Sequence, residues 1–316
     1  MGNVGRRDFL RGGFLGTLTA GTAAALAACD NRAPEVPKPG ASGSSAAPGG
    51  DKNAAINPGT AQQPAIRVGA DSRLGKILAA KKIVVGISVQ NKPGAYRDES
   101  GKPIGFYVET VERLAEDLGV TLEIADQEWA GLIPGVISGK IDLASQALTN
   151  TPARARSMFF SGPYAPNAQT LVVQKAKKRS SVDAYSDPSV KLVALQGSTE
   201  SLFLQSRFPK AQYVGLPDNN AVMLEVISGR ADGAIITVAA AIPFIKSNPS
   251  VDFFQLQPLS YEFGALAMQY GDWELKNWVD EWLRYWKGKG WIQAIYRKWY
   301  EPFLGDLVKN FEIPRY

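Results

Sequence analysis

The feature that most constrains this chain is an order of short apolar runs and amphipathic helices that occurs twice. The first set reads as a strand from Ile83 to Ile87, a polar loop from Ser88 to Gly101, a helix from about Tyr107 to Leu118 closed by Gly119, and a strand from Thr121 to Ala125. The second starts with the strand KLVAL at Lys191 and passes through Gln196, Gly197, Ser198, Thr199 and Glu200 into the helical SLFLQSRF. A helix capped by Asp218 and ended by Gly229, a strand from Ala231 to Ile236 and a helix from Val238 to Lys246 follow. Strands alternating with helices in this way specify an α/β fold.

The segments around the two sets fill in the architecture. A helical turn lies near Leu74, and Trp129 opens the helix WAGLIPGVISGK. Strands are expected over Gln169 to Gln174, Phe253 to Gln257 and Phe263 to Gln269, and helices over Trp273 to Lys287 and Trp291 to Trp299. Trp278, Trp282 and Trp286 fall four residues apart on one helix face, which is the spacing of core packing more than of a partner or membrane surface.

The stretch with the most chemistry is Gly139 to Tyr164. Its apolar run Ile141 to Ala144 has the length of a buried strand, and the hydroxyls Thr149 and Thr151, Pro152 and Arg154 follow where a strand ends. Ligands of open α/β sheets bind beyond the carboxyl ends of strands, and a guanidinium fork there pairs with a carboxylate. Arg154 therefore reads either as an anion hook or as an ordinary solvated arginine. Ser198 and Thr199 pose the same choice at the junction into SLFLQSRF: the first-turn amides can hold an anion, or the hydroxyls simply cap the helix.

Composition narrows the chemistry. The 316 residues are 45% hydrophobic and 21% charged, as in a globular protein. With no histidine, imidazole acid/base catalysis, Ser-His and Cys-His pairs and His-ligated metals are excluded. The one cysteine, Cys29, has no intrachain thiol partner, and no cofactor is implied. The net charge of +5 falls to +3 once Arg6, Arg7, Arg11 and Asp8 of an apparent leader are set aside, and the short run Lys175, Lys177, Lys178, Arg179 reads as a solvated loop. No nucleic-acid partner is expected.

Residues 1–28 have the basic start, modestly apolar middle and small-residue end of a secretory leader. Residues 29–71, rich in Pro, Gly, Ala and Ser, read as a disordered tether. Within the leader, RRDFL at Arg6 to Leu10 resembles a twin-arginine export signal, and LAAC at Leu26 to Cys29 resembles a lipobox. These likenesses imply cleavage before Cys29, lipid attachment to its sulfur and anchorage to the membrane from the periplasmic side of the cell envelope, with Asp30 resembling an inner-membrane retention signal.

The landmarks GKPIGFYVETVERLAEDLGV, WAGLIPGVISGKIDLASQALTNTPARARSMFFSGPY, LQGSTES, VISGRADGAI and GWIQAIYRKWY, in that order over about Leu74 to Tyr300, resemble bacterial solute-binding protein family 3, the polar amino-acid receptors of ABC importers. The resemblance implies a periplasmic-binding-protein type II fold: two α/β lobes joined by a two-stranded hinge. Lobe 1 is then 72–172 with 262–316, and lobe 2 is 173–261. It implies a monomer that closes on a small carboxylate-bearing solute, an amino acid or a relative, and presents it to an ABC permease. Arg154 would hold the carboxylate, Thr149 and the backbone near Ala147 would hydrogen-bond it, Trp129 would pack on its body, and Ser198 and Thr199 would grip from lobe 2.

The sequence departs from the family pattern in three places. Thr237 stands where amino-acid receptors carry an acid for the α-ammonium. Lys92, Pro93, Gly94, Ala95 replace paired prolines and an aromatic. Gln146 and Ala147 occupy serine-like positions. Glu262 offers a replacement charge, although a structural carboxylate at the hinge is the simpler expectation. An enzyme on the same scaffold is the alternative, because cyclohexadienyl dehydratases resemble these receptors and use cleft carboxylates for acid catalysis. A sensor input domain is disfavoured, since the sequence shows no signalling segment.

Overall fold

The computed structural model describes residues 68–255, 257–311 and 313. The leader, Cys29 and nearly all of the expected tether lie outside the described residues. The tether's last residues do not: the Gly69 amide donates to both carboxylate oxygens of Glu274 at 3.1 Å.

The elements of the first half, in chain order, are α1 (Arg73–Ala80), β1 (Lys82–Ile87), β2 (Gln90–Asn91), β3 (Ala95–Arg97), β4 (Pro103–Ile104), α2 (Phe106–Leu118), β5 (Thr121–Asp126), α3 (Trp129–Ile137), β6 (Leu143–Thr149), β7 (Met158–Phe160) and β8 (Ala165–Gln174). The second half adds β9 (Lys191–Leu195), α4 (Thr199–Arg207), β10 (Gln212–Leu216), α5 (Asn219–Ile227), β11 (Gly233–Thr237), α6 (Val238–Ser247) and β12 (Val251–Phe253). The chain then returns through β13 (Ser260–Gln269), α7 (Trp273–Gly288) and α8 (Trp291–Leu304).

The main sheet runs β10-β9-β11-β8-β13-β6-β1-β5. At one end β1 pairs parallel with β5 and β6, and at the other β9 pairs parallel with β10 and β11. Helices cover both faces, so the inner strands read as unbroken apolar runs rather than alternating ones. Antiparallel pairing of β8 with β13, Ala165 to Gln169 against Gly264 to Ser260, ties the two ends together. These two long strands form the hinge of a two-lobed α/β fold.

Each end has its own core. Val85, Ile87, Phe106, Val111, Tyr164 and Tyr296 belong to the cluster of the first half, and Val193, Val222, Met223, Ala234 and Ala241 to one in the second. Helix α6 lies on the seam: Ala240 and Ala241 pack into the second-half cluster, whereas Val238 and Ile242 pack into the first.

Three expectations are corrected. The strand expected over Ile141 to Ala144 begins at Leu143 and continues to Thr149. Its polar residues Ser145 and Gln146 are buried with partners, Ser145 facing the Tyr164 hydroxyl at 3.2 Å and Gln146 accepting from the Ser88 amide at 2.9 Å. The polar loop from Ser88 to Gly101 contains β2 and β3, which with β4 form a separate three-stranded sheet. The strand expected at Phe253 to Gln257 lies earlier, at Val251–Phe253. The tryptophan stripe packs inward as expected, with Trp282 at 6% exposure and Trp278 and Trp286 against the same core.

Candidate functional site

The carboxyl ends of β1, β6, β9 and β11 meet the amino ends of α3, α4, α5 and α6 around one cavity of about 50 Å³. Its lining includes Ser88, Thr149, Leu195 and Thr237 from the strand ends, and Trp129, Thr199, Glu200 and Asp218 from the helix starts. Ends of parallel strands are where α/β sheets bind ligands, and unpaired first-turn amides favour negative charge there.

Of the residues picked out from the sequence, Arg154, Thr149, Trp129, Ala147, Thr199 and Thr237 line this cavity. The half-buried Arg154 spans it: one terminal nitrogen donates to the Thr149 carbonyl at 3.0 Å and the other to the Gly197 carbonyl at 3.0 Å, so one side chain touches both halves. The Trp129 ring lies 5.9 Å from the guanidinium carbon. Burial lowers the guanidinium's pKa, and the charges of Glu200 and Glu262 act against that. Among the described residues no carboxylate lies within ion-pair distance of Arg154. Two of its five N–H donors are occupied by carbonyls, which leaves three for a carboxylate guest.

Beneath the cavity a carboxylate ties the halves together. Glu262 Oε2 accepts from Thr149 Oγ1 at 2.9 Å and from Thr199 Oγ1 at 2.7 Å. Asn167 donates to the Ala147 carbonyl at 3.0 Å and to Thr149 Oγ1 at 3.2 Å, while Gln169 donates to Thr199 Oγ1 at 3.2 Å. Glu262 is thus a hinge carboxylate. Ala147 owes its place in the lining to a left-handed backbone at φ 48°, a conformation that costs a non-glycine residue free energy and that the packed surroundings hold in place.

Two hydroxyls have other work. Ser198 is fully buried and lies outside the lining; its Oγ donates to the Leu195 carbonyl at 2.6 Å and accepts from the Ser201 amide at 3.1 Å. It is the cap of α4. Thr237 lines the cavity but also caps α6, accepting from the Ala240 amide at 3.3 Å.

Sequence reasoning missed Glu200. This half-buried residue in the first turn of α4 lines the cavity. Burial pushes its carboxyl above the usual range and the Glu262 charge pushes the same way, against its own backbone amide, Ser198 and Arg154. A glutamate in a helix first turn ordinarily complements the helix dipole, so its position alone gave no signal. Gln90, Asn91 and Asn219, which also line the cavity, lie in no motif, whereas Tyr107 lies in GKPIGFYVETVERLAEDLGV without having been picked out as a contact.

Comparison with known proteins gives a consistent assignment. Cyclohexadienyl dehydratase of Pseudomonas aeruginosa is 26% identical over 234 residues, covering 73% of this chain and 87% of the relative. The arginine-binding extracellular protein ArtP of Bacillus subtilis is 28% identical over 234 residues, covering 72% and 90%. Among solved structures, an ancestral amino acid-binding protein described as a precursor of cyclohexadienyl dehydratase matches with a TM-score of 0.67 at 32% identity, over 72% of this chain and 100% of that one. Residues 83–302 match the model of the bacterial extracellular solute-binding proteins, family 3, and the chain belongs to that family.

Proposed function

We propose that this protein is the extracytoplasmic receptor of an ABC importer and that it captures a small carboxylate-bearing solute, an amino acid or a close relative. The observation that carries this reading is Arg154, which bridges the two halves at the converging helix starts and keeps three N–H donors free. In the proposal lobe 1 comprises 72–172 and 262–316 and lobe 2 the inserted 173–261, with closure bringing the two onto the solute. The cavity of about 50 Å³ is well below the roughly 300 to 1,000 Å³ of small-molecule sites, so the halves must part for entry. Thr149, Trp129, the Ala147 backbone, Thr199 and Thr237 are contacts in this reading. Glu200 supplies the negative charge for an ammonium that Thr237 lacks. The lipid on Cys29 and twin-arginine export belong to the same proposal and rest on the leader sequence.

A thermal-shift screen of amino acids tests it. A solute that binds raises Tm with concentration, and Arg154→Ala weakens that binding by about 2 to 5 kcal/mol, some 30-fold or more. Unchanged binding in Arg154→Ala contradicts the role of the guanidinium.

Glu200 favours a second reading, an enzyme of the dehydratase type. A carboxyl whose pKa burial raises, facing the same cavity as a guanidinium, suits proton donation to a leaving hydroxyl. Incubation with prephenate or arogenate separates the two. An aromatic product seen by ultraviolet absorbance, and lost in Glu200→Gln, establishes the enzyme; no turnover alongside amino-acid binding establishes the receptor.

A further inference from the structure

A second cavity of about 390 Å³ adjoins the cleft and shares Gln90, Asn91 and Asn219 with it. It lies between the β2–β3 hairpin on one side and, on the other, the start of α5 and one face of α6 from Ala240 to Ser247 with Asn248 just beyond it, and Lys92, Asn220 and Phe244 belong to its lining. Its size falls in the range of small-molecule sites, which that of the cleft cavity alone does not.

The charge pattern of this annex differs from that of the cleft. No aspartate or glutamate lines it. Among the described residues the side-chain amides of Gln90, Asn91, Asn219 and Asn220 have no hydrogen-bond partner, and Lys92 has no carboxylate within ion-pair distance. The Lys92 ammonium instead lies over the rings of Tyr96 at 4.7 Å and Phe303 at 5.4 Å. Four open amides suit a peptide-like group, which needs donors and acceptors together, and an unneutralised cation suits an anion.

The geometry points to an elongated solute, and we propose that the annex holds its far end. On the receptor reading above, the solute is an amino acid whose side chain runs through an amide to a second carboxylate. Its α-carboxylate meets Arg154 and its distal carboxylate meets Lys92, with the intervening amide bonded by the Gln90, Asn91, Asn219 and Asn220 side chains. A γ-glutamyl dipeptide has this composition.

The matched probes γ-glutamylglycine and L-glutamine share the amino-acid head and the amide and differ in the distal carboxylate. Calorimetric titration of the wild type is expected to show γ-glutamylglycine binding at least tenfold more tightly. Lys92→Ala, and separately Asn220→Asp, which sets a negative charge in the annex, are expected to bring it down to the affinity of glutamine. Equal affinity of the two probes for the wild type, an advantage that survives both substitutions, or binding of neither probe overturns the annex. If no amino acid in the thermal-shift screen binds either, the receptor reading fails as well; if one does and depends on Arg154, only the annex fails.

Discussion

Arg154 and Glu200 face one small cavity with opposite charge, and both pay a desolvation cost that the surrounding network only partly offsets. For Glu200 this has a consequence for stability. Burial raises its pKa above that in the unfolded chain, so between the two values the native state binds more protons than the unfolded state. Stability then falls as pH rises through that interval and is regained below the unfolded value, near 4.3. Glu200→Gln removes the titration, so urea melts should show the variant more stable than wild type at pH 8 and level with it at about pH 4. The same difference at both pH values would contradict the assignment. Gly264 is constrained for a steric reason: a Cβ there would lie 2.3 Å from the Ala147 carbonyl oxygen, a backbone atom that cannot swing aside. Gly264→Ala should cost about 2 to 4 kcal/mol in chemical denaturation and disturb the left-handed turn that brings Ala147 to the cavity. At this scale the sequence disclosed Arg154 and Thr149 because they sit at a strand end. It did not disclose Glu200 or choose between the cap and anion readings of Ser198, because a first-turn acid and a first-turn hydroxyl serve the helix whether or not a solute binds.

The elements follow the apolar pattern closely where burial is two-sided. KLVAL is β9 residue for residue, and the helix expected from Tyr107 starts one residue earlier at Phe106. The pattern fails where a strand carries polar residues, as β6 does at Ser145 and Gln146, whose burial depends on partners distant in sequence. It also fails for β10, whose sequence QYVGL is only half-buried, and for β2, which is two residues long. The tryptophan stripe shows how α7 is held. Trp282 and Trp286 both donate to Asp117 Oδ2 on α2, at 2.8 and 2.7 Å, and the Arg113 guanidinium lies 4.0 Å from the Trp286 ring. Trp282→Ala deletes a buried ring and one of these bonds, and should cost about 3 to 5 kcal/mol, against a smaller loss for the half-exposed Trp286→Ala. Equal losses in urea unfolding would show that burial does not set the difference.

For the whole molecule, the two halves meet in the cleft through Arg154 and the hydroxyls on Glu262, and on the seam through Val238 and Ile242 of α6. Receptor function requires that these contacts be weak enough to part and that a solute add enough to keep them closed. Ile242→Ser weakens the seam without touching the cavity lining, so small-angle scattering should show a larger radius of gyration in the absence of solute; an unchanged radius would mean that the seam does not bias closure. The central claim, a carboxylate-bearing solute held by one guanidinium between two lobes, is tested most directly by native mass spectrometry of the purified protein after incubation with an amino acid that raises its Tm. The wild type should retain one solute molecule per chain and Arg154→Ala should retain none. Equal retention by both proteins would contradict the account.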